Sequence, residues 1–167
     1  MDLYVVRHAI AAERDSTRWP DDGLRPLTPE GEQRFRQAAR GLRRFVPSVE
    51  VVLASPYARA WRTAEILHEE AGWPAPQKCE ALEAERSPAE GVEALLPYRS
   101  AQSVAVVGHE PNLSELSSIL LSGRPHTVSI EMKKGAVACL WMDEGARPGA
   151  AVLRWLLTPK ALRAVRA

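Results

Sequence analysis

Two cysteines in 167 residues, Cys79 and Cys139, leave sulfur little to do. They stand 60 positions apart, with no Cys-x-x-Cys pair and no Cys/His cluster near either, so a zinc site of ordinary ligand spacing is not expected. In a chain of cytosolic character no structural disulfide is expected either, and both read as small apolar packing groups. Long apolar runs are also missing. The first, Leu3–Val6, ends at once in Arg7, so no secretory signal is read there. No stretch approaches the ~20 apolar residues of a membrane span. Charge of one sign is missing too: 22 Lys+Arg against 21 Asp+Glu give a net charge of +1, which argues against wholesale nucleic-acid binding. Lys133-Lys134 and Arg43-Arg44 are pairs only and read as a solvated face. The expectation is a cytoplasmic protein with neither nucleic acid nor membrane as partner. Asn112-Leu113-Ser114 matches a glycosylation sequon, but inside an expected helix of an unsecreted chain it reads as chance.

What is there is ordinary for a soluble globular chain, 46% hydrophobic and 26% charged. The length suits one domain over residues 1–167 with a full core, and no linker, repeat or low-complexity segment divides it. Leu3–Arg7 reads as a buried strand and Ala11–Leu27 as a long polar loop. Thr28-Pro29-Glu30-Gly31 opens a helix that Pro47 stops. Val49–Ala54 is a second buried strand. Ser55-Pro56 repeats the cap-plus-proline signal for a helix to about Glu70, closed by Gly72 and Pro74. A short strand at Gln77–Ala81, a helix opened by Ser87-Pro88 and running to about Tyr98, and a strand at Ser103–Val107 follow. Gly108-His109-Glu110-Pro111 then turns into a helix ending near Gly123. Gly135–Met142 and Ala151–Leu157 read as a hairpin, and Pro159 opens a tail helix. Alternating strands and helices imply an α/β fold: a mostly parallel central sheet covered on both faces, with an antiparallel edge from the hairpin. Trp141 and Trp155, in strands, are expected in the core.

In such sheets ligands bind beyond the carboxyl ends of the strands. Arg7-His8, Ser55 to Arg59, and His109 all fall there. Two of these segments are expected to lead into helices that begin with proline, adding helix N-termini to an anion site. A neutral imidazole is a competent nucleophile toward phosphorus, and an arginine forks onto two phosphate oxygens. One histidine can attack while the other donates to a phosphoryl oxygen, with fixed cations stabilising the spread charge. Alone, any of these residues reads as structural; two cations and two imidazoles at three strand ends point to phosphoryl chemistry. His68 and His126 fall in no motif and are expected at the surface. Trp19, in the long loop, is a candidate to flank the site. Thr63, one turn after Arg59, is expected to brace its helix rather than touch substrate.

The segments LYVVRHAIA, RPLTPEG, ASPYARAWRTAEIL and VVGHEPNLSEL, in this order, with the tail LRWLLTPKAL, resemble the histidine phosphatase superfamily, also called phosphoglycerate mutase-like. Within it the chain looks most like the small SixA-type phosphohistidine phosphatases, over nearly its whole length. The resemblance implies a three-layer α/β sandwich, no metal and no cofactor. It implies His8 as the phospho-accepting nucleophile, Arg7 and Arg59 as phosphate-binding arginines, and His109 as the second pocket histidine. Arg25, in RPLT, matches an arginine kept near the site.

Many family members also carry an acid that protonates the leaving group. The candidates are Glu80 and Glu83, with Glu85 beside them and Glu13 outside the segment; the alternative is that all four are solvated. A phosphoramidate leaves readily once its imidazole is protonated, whereas an alkyl ester needs a built-in acid more. A poorly marked acid, and a length with little room for insertions that enclose small substrates, both favour phosphohistidine on a protein. A histidine phosphotransfer domain is one such partner. Two alternatives stand beside this: a phosphatase for small phosphate esters or sugar phosphates, and a non-catalytic module that binds phosphorylated ligands.

Overall fold

Tyr4 and Val6 alternate with Leu3 and Val5 along the first strand, β1 (Asp2–Arg7), and all four are buried. A strand apolar on both faces belongs in the middle of a sheet covered on both sides. The computed structural model, which describes residues 1–165, places it there. The other strands are β2 (Val51–Ala54), β3 (Gln77–Lys78), β4 (Ser103–Gly108), β5 (Val137–Trp141) and β6 (Val152–Leu157). Their order in the sheet is β3-β2-β4-β1-β5-β6. β3, β2, β4 and β1 run parallel, while β5 and β6 are antiparallel to their neighbours, so the edge expected from the hairpin is present. The architecture is α/β with a mostly parallel sheet, as anticipated.

The helices are α1 (Pro29–Phe45), α2 (Ala58–Ile66), α3 (Pro88–Leu95), α4 (Asn112–Ser122) and α5 (Pro159–Ala164). They divide the core in two. Tyr4 and Val6 face a cluster with Phe35, Leu42, Ile66 and Trp73, which takes in α1, α2 and α5. Leu3 and Val5 face Leu95, Leu113, Leu116 and Leu120 of α3 and α4. Thr28 caps α1, its Oγ1 accepting from Gly31 N–H at 2.9 Å, with Pro29 in the first turn. Mid-helix Gly41 would cost helix stability relative to alanine. It is there because α5 packs against it: a Cβ would stand 1.9 Å from the Leu162 carbonyl oxygen.

Three sequence expectations need correction. Ser55-Pro56 does not cap α2. The Ser55 amide continues the strand pairing, donating to Val107 O at 2.9 Å, and Pro56 keeps its predecessor extended, so the helix starts only at Ala58. Beyond Ile66 the chain closes in a π-helical turn over Leu67–Ala71, ended by Gly72 at φ +76°. Nor does α4 begin with its proline: Pro111 precedes the helix, joined to Glu110 by a cis peptide. Trp141 and Trp155 are half-buried, because β6 is the sheet edge and its tryptophan covers Tyr4 from the side, ring centroids 5.9 Å apart. The core tryptophan is Trp73, whose Nε1–H donates to Val46 O at 3.0 Å. Both cysteines are free. Among the described residues no helix is long and apolar enough to cross a membrane.

Candidate active site

β1 and β4 are parallel neighbours in the register Arg7↔Gly108, so the residues that follow them emerge side by side. His8 N–H donates to Gly108 O at 3.0 Å, and the His8 and His109 rings stand 5.2 Å apart between centroids. β2 flanks β4 in the register Ala54↔Val107, which brings Ser55 and the start of α2 to the same end. Arg7, His8, Arg59 and His109 therefore converge on one cleft of about 420 Å³, joined there by Arg25. His8 is 6% exposed, Arg59 2% and His109 2%.

The tautomer of His8 follows from its neighbour. Its Nδ1 lies 2.7 Å from the Ala9 carbonyl oxygen, which can only accept, so Nδ1 carries the proton and Nε2 keeps its lone pair. Burial pushes the imidazole down to about 3, with Arg59, Arg7 and Lys134 adding repulsion and only the Ala9 hydrogen bond opposing. The ring is neutral at pH 7. His109 is pushed down to about 2, by burial first and then by Arg59. Its Nε2 sits 2.9 Å from Ser55 Oγ. The Tyr57 amide also points at that hydroxyl, which accepts at 3.3 Å. If Ser55 spends its proton on Nε2, every partner is matched and His109 Nδ1–H is the donor left over. The Tyr57 ring lies 5.2 Å from His109, and the Arg59 guanidinium 5.2 Å from Tyr57.

The arginines are clamped at one end. Arg7 Nη1 donates to Met132 O at 2.6 Å. Arg59 donates to Asp22 O at 2.7 Å and pairs with Asp22 Oδ2 at 3.0 Å. Arg25 donates to Asp22 Oδ1 and to Ala12 O, both at 2.8 Å. Arg7 Nε, Arg59 Nε and His109 Nδ1 are buried with no hydrogen-bond partner. An unpaired buried donor costs about 1–3 kcal/mol, and three of them belong to residues that line this one cleft.

Thr63 braces this arrangement as expected. Its hydroxyl donates to Arg59 O at 2.7 Å and accepts from Ala9 N–H at 3.0 Å, tying α2 to the backbone just past His8. His68 and His126 are exposed. Trp19 lines a neighbouring depression with Glu13, Arg14 and Arg18 rather than the His8 cleft.

The acids fall differently from the sequence reading. Glu80 is exposed, and Glu83 reaches Arg86 at 3.6 Å; neither lines the cleft, although Ala84 does. Glu85 accepts from the Tyr57 hydroxyl. Glu13 lines the cleft, as does Glu110, which the sequence reading passed over. Glu110 is half-buried, and burial raises its carboxyl above the usual range, against the pull of a Ser114 hydrogen bond and Arg7. Its signal was its place directly after His109 at a strand end. Asp22 was also missed. Held by Arg25 and drawn by Arg59 and Arg14, its carboxyl falls to about 2. Lys134, read as part of a solvated face, lines the cleft as well.

Comparison with known proteins agrees with this geometry. Residues 3–95 match the histidine phosphatase superfamily (branch 1). A Picosynechococcus protein described only as uncharacterized is 34% identical over 157 residues, covering 90% of this chain and 87% of that one. The phosphohistidine phosphatase SixA of Escherichia coli K12 is 28% identical over 100% of this chain and 99% of its own. The structure of the protein histidine phosphatase SixA complexed with tungstate superposes with a TM-score of 0.83 at 26% identity, over 97% of this chain and 99% of that one.

Proposed function

We propose that this chain, which belongs to the histidine phosphatase superfamily and is a phosphatase, acts on phosphohistidine carried by a protein and works through a phosphoryl group held on His8. The observation that carries the reading is the set of unpartnered buried donors, Arg7 Nε, Arg59 Nε and His109 Nδ1, lining one cleft with a neutral His8. Full-length similarity to a phosphohistidine phosphatase supports the substrate class. The related SixA was solved with tungstate, a tetrahedral oxyanion like phosphate, which supports the anion role of the cleft.

His8 Nε2 attacks phosphorus in line with the leaving imidazole nitrogen. The new P–N bond forms as the old one breaks, and the leaving imidazole departs with a proton. Arg7, Arg59, Arg25 and His109 Nδ1–H take the charge spread over the phosphoryl oxygens. Water then attacks phosphorus, and the P–N bond to His8 breaks to give inorganic phosphate and the free imidazole. Glu110, the half-buried carboxyl in the cleft, takes the place that Glu80 and Glu83 held as candidate proton donors.

One observation favours phosphate esters instead: burial raises the Glu110 carboxyl above the usual range, toward the acid that an alkyl leaving group needs. Turnover of a phosphohistidine peptide beside an aryl phosphate, by wild type and His8→Ala, separates the readings. The expected result is preference for the peptide, lost in the variant together with acid-labile phosphate on the enzyme. Preference for the ester moves the substrate class, and a fully active His8→Ala enzyme overturns the mechanism. Binding of the phosphopeptide without turnover identifies a binding module.

A further inference from the structure

The arginines of the α1–α2 face are matched by acids. Arg36 pairs with Glu69 and Glu70, Arg40 with Glu70, and Arg62 with Glu32, Glu65 and Glu69. The face beside the cleft is built otherwise. A groove there runs between the start of α1, the turn at 133–135 and α5, and Arg34, Lys133, Lys134, Lys160 and Arg163 line it with no carboxylate among the lining residues. Arg34 has Glu30 as a partner; among the described residues Lys133, Lys134, Lys160 and Arg163 have none. A protein of net charge +1 thus concentrates free cations in one place.

That place is fixed relative to the nucleophile. Lys134 lines both the groove and the cleft. Gly135 N–H donates to the carbonyls of Arg7 and His8, at 3.1 and 3.0 Å, and Arg7 itself holds Met132 O. The turn carrying the two lysines is therefore locked to the end of β1. The remaining lining is partly apolar, from Ile10, Phe35 and Pro159, which suits aliphatic side-chain stems beneath charged ends.

We propose that this groove docks an acidic stretch flanking the phosphohistidine of the protein substrate, seating the chain while its phosphoryl group enters the cleft. The proposal rests on the reading that the substrate is a phosphoprotein. Uncompensated cations at the rim of a site act chiefly on encounter and are weakened by salt. Nothing comparable would help a small ester, whose charge is already inside the cleft.

The test uses two phosphohistidine peptides that differ only in four flanking positions, Asp/Glu in one and Asn/Gln in the other, with an aryl phosphate as control. Wild type is expected to show a KM about tenfold lower for the acidic peptide, with the gap closing as salt is raised. The Lys133→Glu/Lys160→Glu variant is expected to lose the preference while its aryl phosphate turnover stays within about twofold. Equal KM values in wild type, or a preference kept by the variant, overturn the proposal and leave the phosphohistidine reading standing. An equal fall on all three substrates also overturns it, because the lysines would then be shaping the site. If neither peptide is turned over while the aryl phosphate is, the phosphohistidine reading falls and the docking proposal with it.

Discussion

The hydroxyl of Thr63 accepts the Ala9 amide proton at 3.0 Å, across 54 positions of sequence, and fixes the backbone one residue past His8. Ala9 O is also the group that holds the His8 proton on Nδ1. One side chain on α2 therefore sets the carbonyl that sets the tautomer of the candidate nucleophile. Thr63→Val keeps the shape but leaves the buried Ala9 amide unpaired, at a cost of about 1–3 kcal/mol in urea unfolding. It is expected to lower kcat about tenfold through misplacement of the ring. Thr63→Ser restores the hydroxyl and is expected to recover most of kcat, which loss of packing alone would not explain.

His8 and His109 are neutral in the folded protein, held down to about 3 and about 2, while an unfolded imidazole titrates near ~6.5. Between those values the unfolded chain binds two protons that the folded one does not. Stability is therefore complete above ~6.5 and is lost as pH falls toward the folded values. From pH 6 to 5 the two sites together are expected to cost about 2 kcal/mol. Asp22, depressed to about 2, adds nothing in that window, because its loss begins only below the unfolded carboxylate value. Urea midpoints across pH 5–7, with the His8→Asn/His109→Gln variant as the flattened control, measure the slope. In NMR, the imidazole C–H signals of both residues should stay unshifted from pH 8 to 5; a midpoint near 6.5 at either would contradict the neutral pair.

Glu110→Gln separates the proton requirements of two leaving groups. A positioned general acid contributes about 10²–10⁴ in rate, so aryl or alkyl phosphate turnover should fall by about 10² or more where leaving-group protonation limits it. Phosphohistidine turnover should fall much less, since its imidazole takes a proton readily from solvent. The ratio of kcat/KM on the two substrates is the measurement, and an equal fall on both would remove Glu110 from the role of acid.

Gly41→Ala should destabilise the protein although it improves helix propensity by about 1 kcal/mol. The added methyl meets the Leu162 carbonyl, and overpacking at a backbone contact costs about 1–3 kcal/mol. The expected sign is a lower urea midpoint with faster amide exchange in α5; a rise in stability would mean that α5 yields easily.

The fold was legible wherever periodicity and end signals coincide. Leu3–Val6 reads as a central strand because it is apolar on both faces, and Thr28-Pro29 caps and opens α1 as the rule predicts. Ser55-Pro56 carries the same signal and fails, because a tertiary partner outbids the local one: the Ser55 hydroxyl contacts His109 rather than a helix N-terminus. His8, Arg7, Arg59 and His109 could be gathered from the sequence since Arg7 ends β1, His8 and His109 follow β1 and β4, and Arg59 opens the helix after β2, and parallel strands deliver such residues to one end. Asp22 could not, because it sits in the long first loop and its role depends on the arginines it pairs with there, Arg14, Arg25 and Arg59. Glu110 stood in plain view beside His109, but its half-burial depends on packing that no spacing records.

The central place of β1 also bears on how the chain folds. Asp2 pairs with Ser103 on one side and Trp141 on the other. This strand, apolar on both faces at its centre, thus has no partner within the first hundred positions of sequence. Contacts of that range are slow to form, because loop closure must precede any gain from pairing. Until β4 and β5 arrive, β1 offers two bare edges to any other strand at hand. Refolding from urea is therefore expected to be slow and sensitive to protein concentration, with recovered activity lagging behind recovered helix signal, since the Arg7–Gly108 register that aligns the two histidines is among the last things the topology permits.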